Sequence, residues 1–184
     1  VILVFGFTAY SQNVGDPAPD FTLNDTQGNM FQLSAEKGKV VALFLFGHGC
    51  PHCQSNGPNT ENYVYQNYSS DENFVMVGID VWDGGESSVQ GYINETGITY
   101  PVLVLGSSID NLFSSTYDRI IVIDTDGIIR YKSEQNVTIT EAQSASDVIS
   151  QFLDVTSFAN NSNSEQFQIY PNPASDVINI INSE

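Results

Sequence analysis

The chain alternates short apolar runs with polar, turn-forming stretches, and the period of each run predicts its element. Val40 to Phe46 is apolar without alternation, as expected of a central strand buried on both faces. Phe21-Thr22-Leu23 and Met30-Phe31-Gln32-Leu33 flank the turn Asp25-Thr26-Gln27-Gly28-Asn29 and predict a hairpin. Phe74 to Asp80, Val102 to Leu105 and Ile120 to Ile123 predict further strands. Asp124-Thr125-Asp126-Gly127 predicts a tight turn into Ile128-Ile129-Arg130-Tyr131. The polar stretch after Cys50 is placed as a helix by its position. Ser87 to Glu95 reads as a helix with Ser as N-cap, ending near Gly97. Thr138 with Glu141 suggests a capping box for a closing helix through Leu153. The resulting order, β-β-α-β-α-β-α-β-β-α, predicts an α/β domain with a mainly parallel sheet.

The ends of the chain depart from this pattern. Residues 1–11 begin with the uncharged apolar run VILVFGFTA and end in Ala9-Tyr10-Ser11, with small residues, Ala9 and Ser11, at the positions a signal peptidase reads. The run is too short to cross a bilayer as a helix. It is expected to be the remnant of a signal peptide, with a buried N-terminal strand as the other reading. On the leader reading the mature protein is exported, to the periplasm, the cell surface or the medium, and no span holds it in a membrane. Residues 156–166, rich in Asn and Ser, predict a linker. In residues 167–184, Tyr170-Pro171-Asn172-Pro173-Ala174-Ser175-Asp176 predicts a turn between extended segments. The main domain is expected over residues 12–155.

Charge and cysteine content then narrow the function. The 22 Asp and Glu residues outnumber the 5 Lys and Arg, for a net charge of −17. Nucleic acid as a partner is excluded, because binding it needs a basic footprint. The only cysteines, Cys50 and Cys53, are two residues apart. Closing so short a loop removes little chain entropy, so the pair suits switching better than stapling. Following a buried strand and opening a helix, Cys50 sits where backbone N–H groups and the helix dipole favour a thiolate, the attacking species. Cys53 lies one turn later, positioned to resolve a mixed disulfide. Pro51 suits the first turn of a helix, where its missing N–H would be unpaired anyway. His52, when protonated, adds a positive neighbour to Cys50.

An ordered set of landmarks extends this reading: Val14-Gly15-Asp16-Pro17-Ala18-Pro19-Asp20-Phe21, Gly38-Lys39-Val40, Cys50-Pro51-His52-Cys53, Pro58, Tyr100-Pro101-Val102-Leu103 and Ile121 to Gly127. With them the chain resembles the redoxin, thioredoxin-like family of bacterial envelope oxidoreductases. The resemblance implies a thioredoxin-like fold, a central mixed sheet flanked by helices. It also implies an exported thiol–disulfide oxidoreductase acting on protein thiols or disulfides, with Cys50 as nucleophile and Cys53 as resolving thiol. No cofactor is expected beyond the Cys50–Cys53 disulfide, and a redox partner must regenerate it. The Pro-His dipeptide is that of DsbA-type periplasmic oxidases, which leans towards an oxidising poise. The terminal YPNPASD run closely resembles the start of the type IX secretion sorting domain typical of Bacteroidetes. That implies type IX machinery as a partner and a truncated β-sandwich start over 167–184.

Departures from the family pattern mark the residues to watch. The acidic residue many reducing members carry after the motif falls at Asn56, and the expected cis-proline falls at Asp118, in Tyr117-Asp118-Arg119. Tyr117 and Asp118 are therefore candidates for substrate contact or acid–base work. His48, two residues before Cys50, is a candidate acid–base group, a satisfied structural residue or a metal ligand. With Cys50, His52 and Cys53 it makes a cluster of soft and borderline ligands, from which copper binding follows as a second reading. A redox-inert surface interaction module is the third. Asp80, Trp82 and Asp83 follow a strand end near the motif, lining a groove or packing an edge.

Overall fold

The computed structural model describes residues 12–160, 168–170 and 179–181. Its opening hairpin pairs β1 (Thr22–Asn24) with β2 (Met30–Gln32) in antiparallel fashion. Asp25 makes the turn: its Oδ1 accepts the Gln27 and Asn29 N–H groups, both at 2.8 Å, an Asx turn. Both strands fall within a residue of the predicted limits.

Five strands form the central sheet in the order β5-β4-β3-β6-β7. β3 (Val40–Phe46) lies at its centre, parallel to β4 (Phe74–Asp80) and antiparallel to β6 (Arg119–Ile123). β5 (Val102–Leu103) extends the parallel side and β7 (Ile129–Lys132) the antiparallel side. Every β3 side chain is buried, for the reason its composition suggested: both faces are covered. Val40, Ala42, Phe44 and Phe46 face one core, and Val41, Leu43 and Leu45 face the other.

The helices divide accordingly. The first core takes side chains from α1 (Pro51–Thr60), the π-helical turn Glu61–Tyr65 that continues it, α3 (Glu86–Thr96) and α5 (Ile139–Asn160). The short α2 (Gln66–Tyr68) follows the π turn. The second core lies under the hairpin and α4 (Ile109–Leu112). Cys50 and Cys53 belong to the first core, so the thiols sit against packed side chains.

Several boundaries differ from expectation. α3 starts at Glu86, and its N-cap is Gly85, not a serine. Its end at Gly97 is as predicted, with φ +71°, a left-handed cap that favours glycine. The strand expected over Val102 to Leu105 stops at Leu103, because Leu105 takes φ +58° and leaves the sheet. Glu141 accepts a hydrogen bond from the Tyr131 hydroxyl, where a capping role was expected. α5 runs to Asn160, so residues 156–160 of the expected linker are helical.

The strands β8 (Gln168–Tyr170) and β9 (Asn179–Ile181) pair antiparallel. They belong to a unit of the chain, residues 154–184, apart from the one described above. The expected leader over 1–11, the rest of the linker and the turn over 171–176 lie outside the described residues.

Candidate active site

β3 ends at Phe46, and Gly47 to Cys50 turn the chain into α1, with the Cys50 N–H donating to the Gly47 carbonyl at 2.9 Å. Cys50 is the N-cap of α1 and Pro51 its first residue. The Cys50 Sγ accepts the Cys53 N–H at 3.3 Å. A sulfur thus stands where Ser or Asp usually caps a helix, receiving a donor that is otherwise unpaired. Both cysteines are free thiols. Cys50 lines a cleft with His52, Thr116, Tyr117, Asp118, Arg119 and Asn136. Cys53 lies behind it, fully buried. Burial pushes the Cys53 thiol above the ordinary range; the hydrogen bond to Cys50 and the charge of Asp118 push the same way.

The position expected to hold a cis-proline is occupied by Asp118, 1% exposed and at φ +54°. Asp tolerates this left-handed region better than most residues. Its Oδ2 accepts the Asn56 side-chain amide at 2.7 Å, and its Oδ1 accepts the Val137 N–H at 3.3 Å. Arg119 turns its guanidinium back to the Asp118 carbonyl, at 2.9 Å, and to the Asn136 side chain, at 2.8 Å. The two departures singled out in the sequence, Asn56 and Asp118, are therefore in contact with each other.

Toward β4, His48 is held by Asp80 at the end of that strand. Its backbone N–H donates to Asp80 Oδ1 at 3.0 Å, and its Nδ1 lies 3.2 Å from both carboxylate oxygens. Asp80, fully buried, also accepts the Gly84 N–H at 2.6 Å. Gly84 allows this approach: a Cβ there would stand 2.5 Å from the His48 ring. Both the backbone and the ring of His48 are thus partnered by Asp80. Among the described residues no three His, Cys, Asp or Glu side chains form a group able to hold a metal ion. Of the residues expected for copper, His48 pairs with Asp80 and His52 is exposed on α1.

Trp82 packs against the turn into α1 and against Tyr117. Its ring lies against Gly47, where a Cβ would meet it at 2.4 Å. It also packs edge-on against Tyr117, with centroids 5.1 Å apart, and the two rings are 43% and 40% exposed. Tyr117 joins the cleft, so an aromatic ledge borders the thiols. Sequence reasoning missed Thr116 and Asn136, which have no motif of their own; the spacing of the expected cis-proline position pointed to the loop of Thr116, and nothing pointed to that of Asn136.

Residues 13–149 match the redoxin family. The thiol-disulfide oxidoreductase ResA of Bacillus subtilis (strain 168) is 32% identical over 114 residues, covering 56% of this chain and 61% of that one. ResA of Bacillus thuringiensis (strain Al Hakam) is 28% identical over 107 residues, covering 54% and 60%. The chain thus spans about three fifths of the length of the curated relatives it matches. Among solved structures, a candidate protein disulfide isomerase from Bacteroides thetaiotaomicron superposes with a TM-score of 0.71 at 26% identity, over 83% of this chain and 97% of that one. The thioredoxin domain of a thiol-disulfide oxidoreductase from Bacteroides vulgatus gives 0.63 at 22% identity, over 77% and 99%. The mixed sheet flanked by helices is therefore the thioredoxin-like fold. With the family matched over the whole domain that presents Cys50 and Cys53, the chain belongs to the redoxin family.

Proposed function

We propose that the protein is a thiol–disulfide oxidoreductase that exchanges disulfides with protein substrates through Cys50 and Cys53. The observation that carries this is the asymmetry of the two sulfurs. Cys50 borders the cleft and receives a backbone N–H at the start of α1; Cys53 is enclosed behind it. A thiolate at Cys50 attacks a substrate disulfide, and Cys53 resolves the mixed disulfide that forms. His52, exposed beside Cys50, contributes positive charge when protonated. Tyr117 and Trp82 offer apolar surface to the substrate chain next to the sulfur. His48 acts as a positioning residue, holding the turn into α1 through Asp80.

The reading predicts that Cys50→Ser abolishes exchange and that Cys53→Ser accumulates a covalent substrate complex, visible on non-reducing gels. If Cys53→Ser traps no partner under oxidising conditions, the mechanism fails. Direction follows from the reduction potential against glutathione. A value near about −120 mV marks a disulfide-forming oxidase, and one near about −270 mV a reductase.

We also propose export, supported by the apolar run of residues 1–11. Delivery by type IX machinery is supported by the YPNPASD run, which lies between two segments that pair as antiparallel strands. Secretion of the full-length chain with and without residues 167–184 tests it: unchanged release would remove that part of the proposal.

A further inference from the structure

We propose that Asp118 is the proton acceptor for the resolving thiol Cys53, an inference that rests on the exchange mechanism above. Asp118 lines the cleft beside Cys50 and is tied by its Oδ2 to Asn56. Asn56 lies on α1 three residues after Cys53, on the same helix face. Its Oδ1 carries only the long 3.3 Å bond from the Val137 N–H, which leaves that oxygen able to take a proton. The carboxylate is almost wholly enclosed, and its hydrogen-bonded side-chain neighbour, Asn56, is a neutral amide. A residue placed only to shape the backbone would not need a buried charge there, and glycine would take φ +54° more easily.

The reason for a base is the enclosure of Cys53. Losing its proton to water would leave two negative charges, thiolate and carboxylate, in one nearly dry space. Passing the proton to Asp118, directly or through one water, keeps the total at one. With Cys50 joined to a substrate sulfur, Cys53 gives its proton to Asp118 and its sulfur attacks the Cys50 sulfur. The Cys50–Cys53 bond forms as the bond from Cys50 to the substrate breaks. The electron pair leaves on the substrate sulfur, which is reduced and then protonated while the enzyme dithiol is oxidised to the disulfide. In the reverse direction Cys53 departs as a thiolate and recovers the proton from Asp118.

The test is stopped-flow reaction of the reduced protein with an aromatic disulfide whose released thiolate is coloured. The first release reports attack by Cys50, the second resolution by Cys53. Other groups that titrate around Asp118 and Cys53 are Cys50 and His52 on α1, Tyr117 on the loop of Asp118 and Tyr92 of α3, whose hydroxyl donates to the Cys53 carbonyl at 2.8 Å; the fixed charge of Arg119 also faces Asp118. The readout is therefore the ratio of the two rates within one protein at one pH. Asp118→Asn accepts the same φ and keeps its contacts once the Asn56 amide is reversed. It should lower the ratio of second to first rate by about tenfold or more near neutral pH, with the gap closing as the solution is made alkaline. Adding Asn56→Asp to that variant moves the carboxylate across the same hydrogen bond and should restore the ratio. An unchanged ratio in Asp118→Asn, or no recovery in the double variant, overturns the proposal. Absence of both releases from the native protein would instead overturn the exchange mechanism itself.

Discussion

Two buried carboxylates flank the redox motif, and they are partnered in opposite ways. Asp80 ends β4 and Asp118 precedes β6, the two strands that border β3. Asp80 takes two backbone N–H groups and a histidine ring. Asp118 takes one close side-chain amide and one long backbone bond. Burying a carboxylate is costly unless donors surround it. Asp80 meets that requirement and in doing so clamps the Gly47–Cys50 turn to the loop after β4. Asp118 meets it less fully and lies in the cleft with Cys50. One serves architecture; the other is left open to chemistry.

The sharpest way to break this comparison is to remove each carboxylate and measure stability. Asp80→Ala strands the His48 and Gly84 N–H groups and should cost about 3 kcal/mol in denaturant unfolding. Asp118→Asn should cost less than about 1 kcal/mol, because its amide oxygen still accepts the Val137 N–H and its NH2 donates to Asn56 once that amide is reversed. Equal losses would show that the two acids do the same work. Next in size is Gly47→Ala. Its methyl group would overlap the Trp82 ring, so the ring must move, at about 1–3 kcal/mol, with a shift in tryptophan emission. Unchanged emission would mean the ring does not rest there.

The smallest effect is pH-dependent and comes from Cys53. Its folded thiol titrates above the ordinary range, burial being the main cause. A group raised in this way stabilises the fold fully below the unfolded thiol range, and that stability is lost as pH climbs towards the folded value. Cys50→Ser protein, in which Cys53 is the sole thiol, should therefore lose about 1 kcal/mol more than the Cys50→Ser/Cys53→Ser double variant over the pH unit above roughly 8.5. Asp118→Asn should leave the loss over that pH unit unchanged but end it at a lower pH, and Asp80→Asn should leave that end point as well, since the Asp118 charge contributes to the shift and that of Asp80 does not. The reverse pattern would exchange the roles assigned to the two acids.

Local patterning along the chain was enough to determine the strands, the turns and the redox motif. A short apolar run without alternation, rich in β-branched and aromatic residues, fits a strand covered on both sides, and Val40 to Phe46 is one. The turn at Asp124 to Gly127 is held by Asp124 Oδ1, at 3.0 Å from the Asp126 N–H and 2.9 Å from that of Ile128. The CxxC spacing with Pro51 already implied a thiol at a helix start. Such features depend on neighbours a few residues apart, so periodicity and residue type report them.

Tertiary structure decided what the surrounding polar residues do. His48 and Asp80 are 32 residues apart in sequence, Asn56 and Asp118 62. No local signal distinguishes an acid held by backbone N–H groups from one beside a thiol. His48 was open to three readings by spacing, and β4 brought Asp80 under it to hold its backbone N–H and its ring. Asp118 looked like a lost proline and became a buried acid when β6 brought it against α1. Both outcomes follow from the sheet order, which sets β4 and β6 on either side of β3 and so chooses which distant side chains share the enclosed space around the thiols.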